Sequence, residues 1–255
     1  MASVERPPEG PEVFVADLPS PAVRLSLLGT FQLAVDGVPV PVPFSAQRLL
    51  AFLGLRDRPV LRSHVAGCLW PESPEVRAAA NLRSALWRLG HPSSRVVLAA
   101  GRYLQLSPAV EVDLRRSTAI AQQLLDPDRP LVEADRAVSI LTEDVLPDWF
   151  DEWIAVAREH FRQLRLHALE ALCERLMGLG RYQEAIEAGL AAVAAEPLRE
   201  SAHRALIRTH LAEGNLGEAM QQYRAFRRLL RAELGLDPSP SMEALVRGMR
   251  SVTVG

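Results

Sequence analysis

The sequence contains no lysine; all 29 of its basic residues are arginine. A nucleotide-binding P-loop needs a lysine against the phosphates, and pyridoxal chemistry needs a lysine for its Schiff base, so neither can be built here. There are only two cysteines, Cys68 and Cys173, far apart in the chain. That excludes a disulfide framework and a cysteine-based zinc site, and it fits a reducing cytoplasm. No run of about 18 apolar residues occurs, so no membrane-spanning helix is expected. The first 21 residues are acidic and proline-rich, without a basic region followed by an apolar stretch, so no secretory leader is expected. Neither a Gly-x-Ser-x-Gly elbow nor a glycine-rich phosphate loop is present.

What is present is an ordinary globular composition of 255 residues, 48% hydrophobic and 24% charged. The net charge of −2 hides an asymmetry. Residues 1–21 carry −3 and read as a flexible acidic tail. Residues 22–105 hold ten arginines against four acids, a net +6, while the remainder holds 18 arginines against 23 acids. A basic segment joined to an acidic one suits a nucleic-acid binder with a separate interaction domain.

Residues 22–106 open with alternation. Val23, Leu25 and Leu27 are spaced by Arg24 and Ser26, and Phe31, Leu33 and Val35 alternate again. Asp36-Gly37 is a two-residue hairpin signal, and the prolines at 39, 41 and 43 confine the next strand to an edge. Helical spacing follows. Ser45 is placed to cap a helix carrying Leu49, Leu50, Phe52 and Leu53, and a short helix spans about 62–69. A third helix runs from about Pro74 to Leu89, with Ala78, Leu82, Leu86 and Leu89 as its apolar stripe. Arg77, Asn81, Ser84 and Arg88 are expected on the opposite face, with Arg83 and Trp87 at the shoulder. A second hairpin turns at Gly101. Sheet, three helices and hairpin is the order of a winged helix with an extra N-terminal sheet. Arginine can read guanine and asparagine adenine in the major groove, while arginines at helix starts and in a wing hold phosphates.

Residues 107–250 read as helix throughout. Asp113 is placed to cap a helix through Leu125, another covers about 133–141, and Trp149, Phe150 and Trp153 form an aromatic entry to a long helix reaching about Leu179. That trio reads as a core anchor holding the helical domain to the linker. A repeat of 34 residues then pairs Leu172 with Leu206, Gly180 with Gly214, Glu184 with Glu218 and Ala185 with Ala219, a tetratricopeptide-like pattern. His160 and His167, like His203 and His210, are seven apart, about 10 Å by helical rise, which suits packing better than metal ligation. The fold class is therefore mainly α: a winged helix of small sheets and three helices, then an all-α repeat domain. No metal, cofactor or catalytic constellation is expected.

Several runs resemble the Streptomyces antibiotic regulatory protein family. They are Leu27-Leu-Gly-Thr-Phe, Gln47-Arg-Leu-Leu-Ala-Phe-Leu, Leu69-Trp-Pro, Asn81-Leu-Arg-Ser-Ala-Leu-Trp-Arg-Leu and Gly101-Arg-Tyr-Leu-Gln-Leu, in the family's order. Asp148-Trp-Phe-Asp-Glu-Trp and Glu233-Leu-Gly-Leu-Asp-Pro-Ser-Pro resemble the activation domain of the same family. Leu89-Gly90-His91-Pro92 departs from it where relatives continue with arginine. The resemblance implies an OmpR-type winged helix over 22–106 and a bacterial transcriptional activation domain over 107–250. It further implies a DNA-binding activator of a secondary-metabolite (antibiotic) gene cluster. Such a protein binds direct repeats near promoters, as head-to-tail protomers, and contacts RNA polymerase including its sigma subunit. Arg77, Asn81, Ser84 and Arg88 would then face bases, Arg83 and Trp87 would lie near the edge, and Arg62, Arg95 and Arg102 would hold phosphates. A helical-repeat interaction adaptor, whose winged helix docks protein instead of DNA, is the competing reading.

Overall fold

The computed structural model describes residues 22–89, 96–131 and 134–252. The acidic tail 1–21, Arg95 and the Gly90-His91-Pro92 departure lie outside the described residues. Strands β1 (Val23–Ser26), β2 (Gln32–Val35) and β3 (Val38–Pro39) come first. Asp36 and Gly37 both take positive φ, 51° and 81°, as a tight two-residue hairpin requires. Helices α1 (Phe44–Gly54), α2 (Arg62–Leu69) and α3 (Glu75–Arg88) follow, with β4 (Val60–Leu61) between the first two. The wing is β5 (Val97–Ala100) and β6 (Tyr103–Leu106), joined at Gly101 with φ +57°. Then β7 (Val110–Val112) leads into α4 (Asp113–Leu125).

The first sheet has the order β3-β2-β1-β7, and the second β4-β6-β5. β7 runs parallel to β1, with Val23 opposite Val110 and Leu25 opposite Val112, while all other pairings are antiparallel. The sequence signalled neither β4 nor β7. The first sheet thus takes its fourth strand from beyond residue 106.

The helical domain continues with α5 (Ala134–Leu141), α6 (Glu152–Gly178), α7 (Tyr182–Ala195), α8 (Glu200–Glu213), α9 (Leu216–Leu234) and α10 (Pro240–Val252). The 34-residue repeat is physical. Gly180 and Gly214 take φ +73° and +92° at equivalent helix ends, and Leu172, Leu206, Ala185 and Ala219 are all fully buried. Each glycine lets the chain leave one helix in the left-handed region, and each alanine lets paired helices approach closely.

One core runs through both halves: Leu25, Leu33, Leu50 and Phe52 belong to the same buried cluster as Leu141, Ile154 and Leu172. The joint is dense. Leu28 bridges Val145, the Leu146 amide donates to the Leu27 carbonyl (3.0 Å), and the Gly29 amide donates to the Asp144 carbonyl (2.8 Å). The Asp113 carboxylate accepts from the amides of Leu27 (2.8 Å) and Leu28 (3.2 Å). It therefore ties α4 to β1 instead of only capping its own helix, which starts after Val112. Burial pushes that carboxyl above its ordinary value, and the amide donors oppose the rise. Trp149 stacks on Phe31 (5.9 Å) and touches Phe44 (5.4 Å), and Trp153 meets Phe52 edge-on (5.3 Å). Phe150 points away, 92% exposed, so two of the three aromatics form the anchor. Arg48 of α1 pairs with Asp151.

Candidate nucleic-acid interface

Helix α3 has local support for its conformation, completed by packing of its buried stripe. It is alanine-rich, Pro74 precedes its first turn, and Glu75 and Arg88 sit at the ends that the helix dipole favours for each charge. Ala78, Leu82 and Ala85 are buried, and Leu89 continues that stripe just past the helix. At about 100° per residue, the positions directly opposite are Val76, Ala80, Arg83 and Trp87. Val76 (82%), Arg83 and Trp87 (83%) are exposed, while the small Ala80 is half-buried.

This turns the expected face by about a quarter-turn, although Arg77, Ser84 and Arg88 are all exposed. Arg77, Asn81, Ser84 and Arg88 lie about a quarter-turn from both the ridge and the buried stripe. Asn81 is half-buried. The Ser84 hydroxyl donates back to the Ala80 carbonyl (3.1 Å), and Arg88 donates to the Ser45 hydroxyl of α1 (3.2 Å). Ser45 is thus a tether for α3 and not a helix cap; α1 begins one residue earlier, after Pro43. Arg83 and Trp87 belong to the centre of the outward face and not to its shoulder. Sequence reasoning missed Val76, because an apolar residue beside an arginine was not read as exposed.

Two further predicted residues meet at the wing. Arg102 is exposed at the hairpin tip, and its carbonyl accepts from the Arg62 amide (2.8 Å), which fixes the first turn of α2 against the wing. Arg62 Nε is buried without a partner. A guanidinium in the first turn of a helix also opposes the helix dipole, an arrangement that a nearby anion would relieve.

The two halves differ in how their arginines are satisfied, although Arg136, Arg224, Arg228 and Arg247 of the helical domain also show no carboxylate partner among the described residues. Among the described residues, Arg58, Arg62, Arg77, Arg83, Arg88 and Arg102 have no carboxylate partner. In the helical domain, Arg115, Arg129, Arg162, Arg165, Arg199, Arg204, Arg208, Arg227 and Arg231 all pair with acids. Glu72 and Glu75 are the acids nearest the start of α3 in sequence, and both are exposed. Among the described residues no three His, Cys, Asp or Glu side chains converge as a metal site would need. His203 is committed to packing. It lies on Phe226 (4.2 Å), with Nε2 beside the Pro197 carbonyl (2.9 Å) and Nδ1 beside the Gln222 amide (2.9 Å).

Comparison with known proteins places this architecture. The family described as "Bacterial transcriptional activator domain" matches residues 110–250. Regulatory protein AfsR of Streptomyces coelicolor is 29% identical over 89% of the chain and 24% of its own length. Transcriptional regulatory protein EmbR of Mycobacterium tuberculosis is 33% identical over 86% of the chain and 61% of its own length. The chain thus spans about a quarter of AfsR and about three fifths of EmbR. A solved structure, "Mycobacterium tuberculosis EmbR in complex with low affinity phosphopeptide", superposes with a TM-score of 0.68 at 25% identity, covering 91% of this chain and 66% of that one. The chain belongs to the bacterial transcriptional activator domain family, among regulators of the Streptomyces antibiotic regulatory protein type.

Proposed function

We propose that this protein is a sequence-specific activator that binds double-stranded DNA through α3 and the wing and acts without catalysis, in the cytoplasm. In this reading α3 enters the major groove with the Val76–Trp87 ridge foremost. Arg83 faces bases, and Arg77, Ser84 and Arg88 flank the groove with Asn81 behind them. Arg62, Arg95 and Arg102 hold phosphates. The observation that carries this reading is the cluster of described arginines around α3, α2 and the wing without carboxylate partners, whereas most described arginines of the helical domain are paired. Unneutralised guanidinium groups on one domain match a phosphate backbone and release its counterions on binding.

The relatives, named as regulators, support the coarse reading. The finer parts follow from the family resemblance: tandem direct repeats near promoters, head-to-tail protomers, contact with RNA polymerase including sigma, and control of a secondary-metabolite cluster. The shared core at the domain joint supports a helical domain held in fixed orientation to the DNA. Genome-wide footprinting with the purified full chain tests the proposal. Protected direct repeats upstream of a biosynthetic cluster are expected. Failure to protect any duplex would overturn it. The adaptor reading draws on one observation, the exposure of Val76 and Trp87, since an apolar ridge also suits a protein partner.

A further inference from the structure

Helix α3 presents an outward ridge that is unusual for its chemistry. Of its four positions, Val76 and Ala80 have no polar side-chain atom, Trp87 has a single indole N–H, and only Arg83 is charged. Val76 and Trp87 are among the most exposed apolar side chains of the described residues. Apolar surface in this position gains nothing from water or from phosphates. In the major groove the one apolar group a base presents is the thymine C5-methyl, whereas a guanine offers the two acceptors that an arginine grips.

We infer that this ridge is a methyl reader. Val76 and Trp87 seat against the C5-methyl groups of two thymines, one on each side of a guanine that Arg83 reads. The inference rests on the DNA-binding reading above and deepens it by naming what the helix selects. The spacing sets a register. Val76 lies seven residues from Arg83, roughly 10 Å along the helix, and Trp87 lies four residues beyond it, roughly 6 Å. At about 3.4 Å per base step those intervals correspond to about three and two steps. The half-site then has one thymine about three steps to one side of the guanine and another about two steps to the other side. Ala80, between them, keeps the helix close enough for short side chains to reach the base edges. Arg77 and Arg88, a quarter-turn away, are placed for the backbone on the groove walls.

The test uses the full chain and the duplex it enriches from a random-sequence pool. Each thymine of that duplex is replaced in turn by deoxyuridine, which keeps base pairing and removes only the C5-methyl. Two positions, on opposite sides of a guanine, are expected to weaken binding by about three- to fivefold each, the loss from one buried methyl. Val76→Ala is expected to lower wild-type duplex affinity by a similar factor and to become indifferent to the uracil swap at the more distant thymine. Trp87→Ala is expected to lose sensitivity at the nearer one. Both side chains are exposed, so the variants should melt like wild type, and an unchanged melting curve confirms that a lost preference is local. If every uracil swap is silent in the wild-type chain, or if Val76→Ala and Trp87→Ala keep its full sensitivity to them, the methyl reader is wrong while DNA binding stands. If the pool yields no enriched duplex, the DNA-binding reading falls and takes this inference with it.

Discussion

Arg158→Met is the sharpest probe of the joint between the two halves. Arg158 lies in α6 and donates to three carbonyls of one turn: Val145 through Nε (2.9 Å), and Leu146 and Trp149 (2.9 Å) through Nη2. Val145 and Leu146 are fully buried, and Leu146 adopts φ +42°, a left-handed conformation that a branched residue holds only under constraint. Methionine keeps most of the stem and removes the donors. A hydrogen bond from a charged donor contributes about 1.5–3 kcal/mol, and buried carbonyls left without a donor cannot turn to water. Relaxation of the left-handed residue returns about 1 kcal/mol. A net loss of about 3–4 kcal/mol follows from three bonds at the low end of that range. Urea unfolding of the full chain, followed by tryptophan fluorescence and circular dichroism, would measure it. Trp149 and Trp153 lie at the joint and report it directly. At about 3 kcal/mol per molar urea, the midpoint should fall by about 1 M. Arg158→Lys, with a single ammonium, should fall between. A loss below about 1 kcal/mol for Arg158→Met would refute the argument that this turn is held by the guanidinium.

Other expectations follow from the same structure. If Arg62, Arg77, Arg88, Arg95 and Arg102 each neutralise one phosphate, DNA affinity should fall with salt on a log–log slope of about −4.5, measured by fluorescence anisotropy. A flat response would contradict phosphate contact. Arg83→Ala should cost about 1–3 kcal/mol of binding to the selected duplex, a good base contact, and Asn81→Ala clearly less, since Asn81 is half-buried on the flank. Equal losses would reject the recentred face. Burial pushes the His203 imidazole below its ordinary value, so the unfolded chain binds that proton first. The stability this residue contributes is complete above the ordinary histidine value of about 6.5 and is lost as pH falls below it. Urea midpoints at neutral and mildly acid pH should therefore converge in His203→Gln relative to wild type, and an unchanged acid sensitivity would exclude His203 as its source. Gly54→Val should lower the melting temperature, because even a Cβ at Gly54 would lie 2.9 Å from Leu27 Cδ1 and 3.0 Å from Leu25 Cδ2.

Alternation and turn chemistry located β1, β2 and the Asp36-Gly37 hairpin, since a half-buried strand and a left-handed turn leave local signatures. The period of 34 located the paired helices of the second domain, down to equivalent glycines and alanines. β4 and β7 escaped because they are two and three residues long and their partners are distant in sequence. Ser45 and Asp113 were read as caps because a short polar side chain before an apolar stripe looks the same whether it bonds its own helix or another element. The face of α3 was misjudged for a different reason. Arg77, Asn81, Ser84 and Arg88 do share a stripe, but a stripe of polar residues is not thereby opposite the buried one. Measuring the angle from Ala78, Leu82 and Ala85 would have put Val76 and Trp87 outward from sequence alone.

The parallel pairing of β7 with β1 has a consequence during synthesis. The ribosome finishes the wing before it makes the strand that closes the first sheet, so a nascent chain ending at residue 106 carries β1 with one edge unpaired. Such an edge invites pairing with a neighbouring chain until Val110–Val112 emerges and α4 follows at once. A gene fragment cut at the apparent end of the winged helix would make that transient hazard permanent, whereas a cut after Leu125 would retain the missing strand and the carboxylate that fastens it.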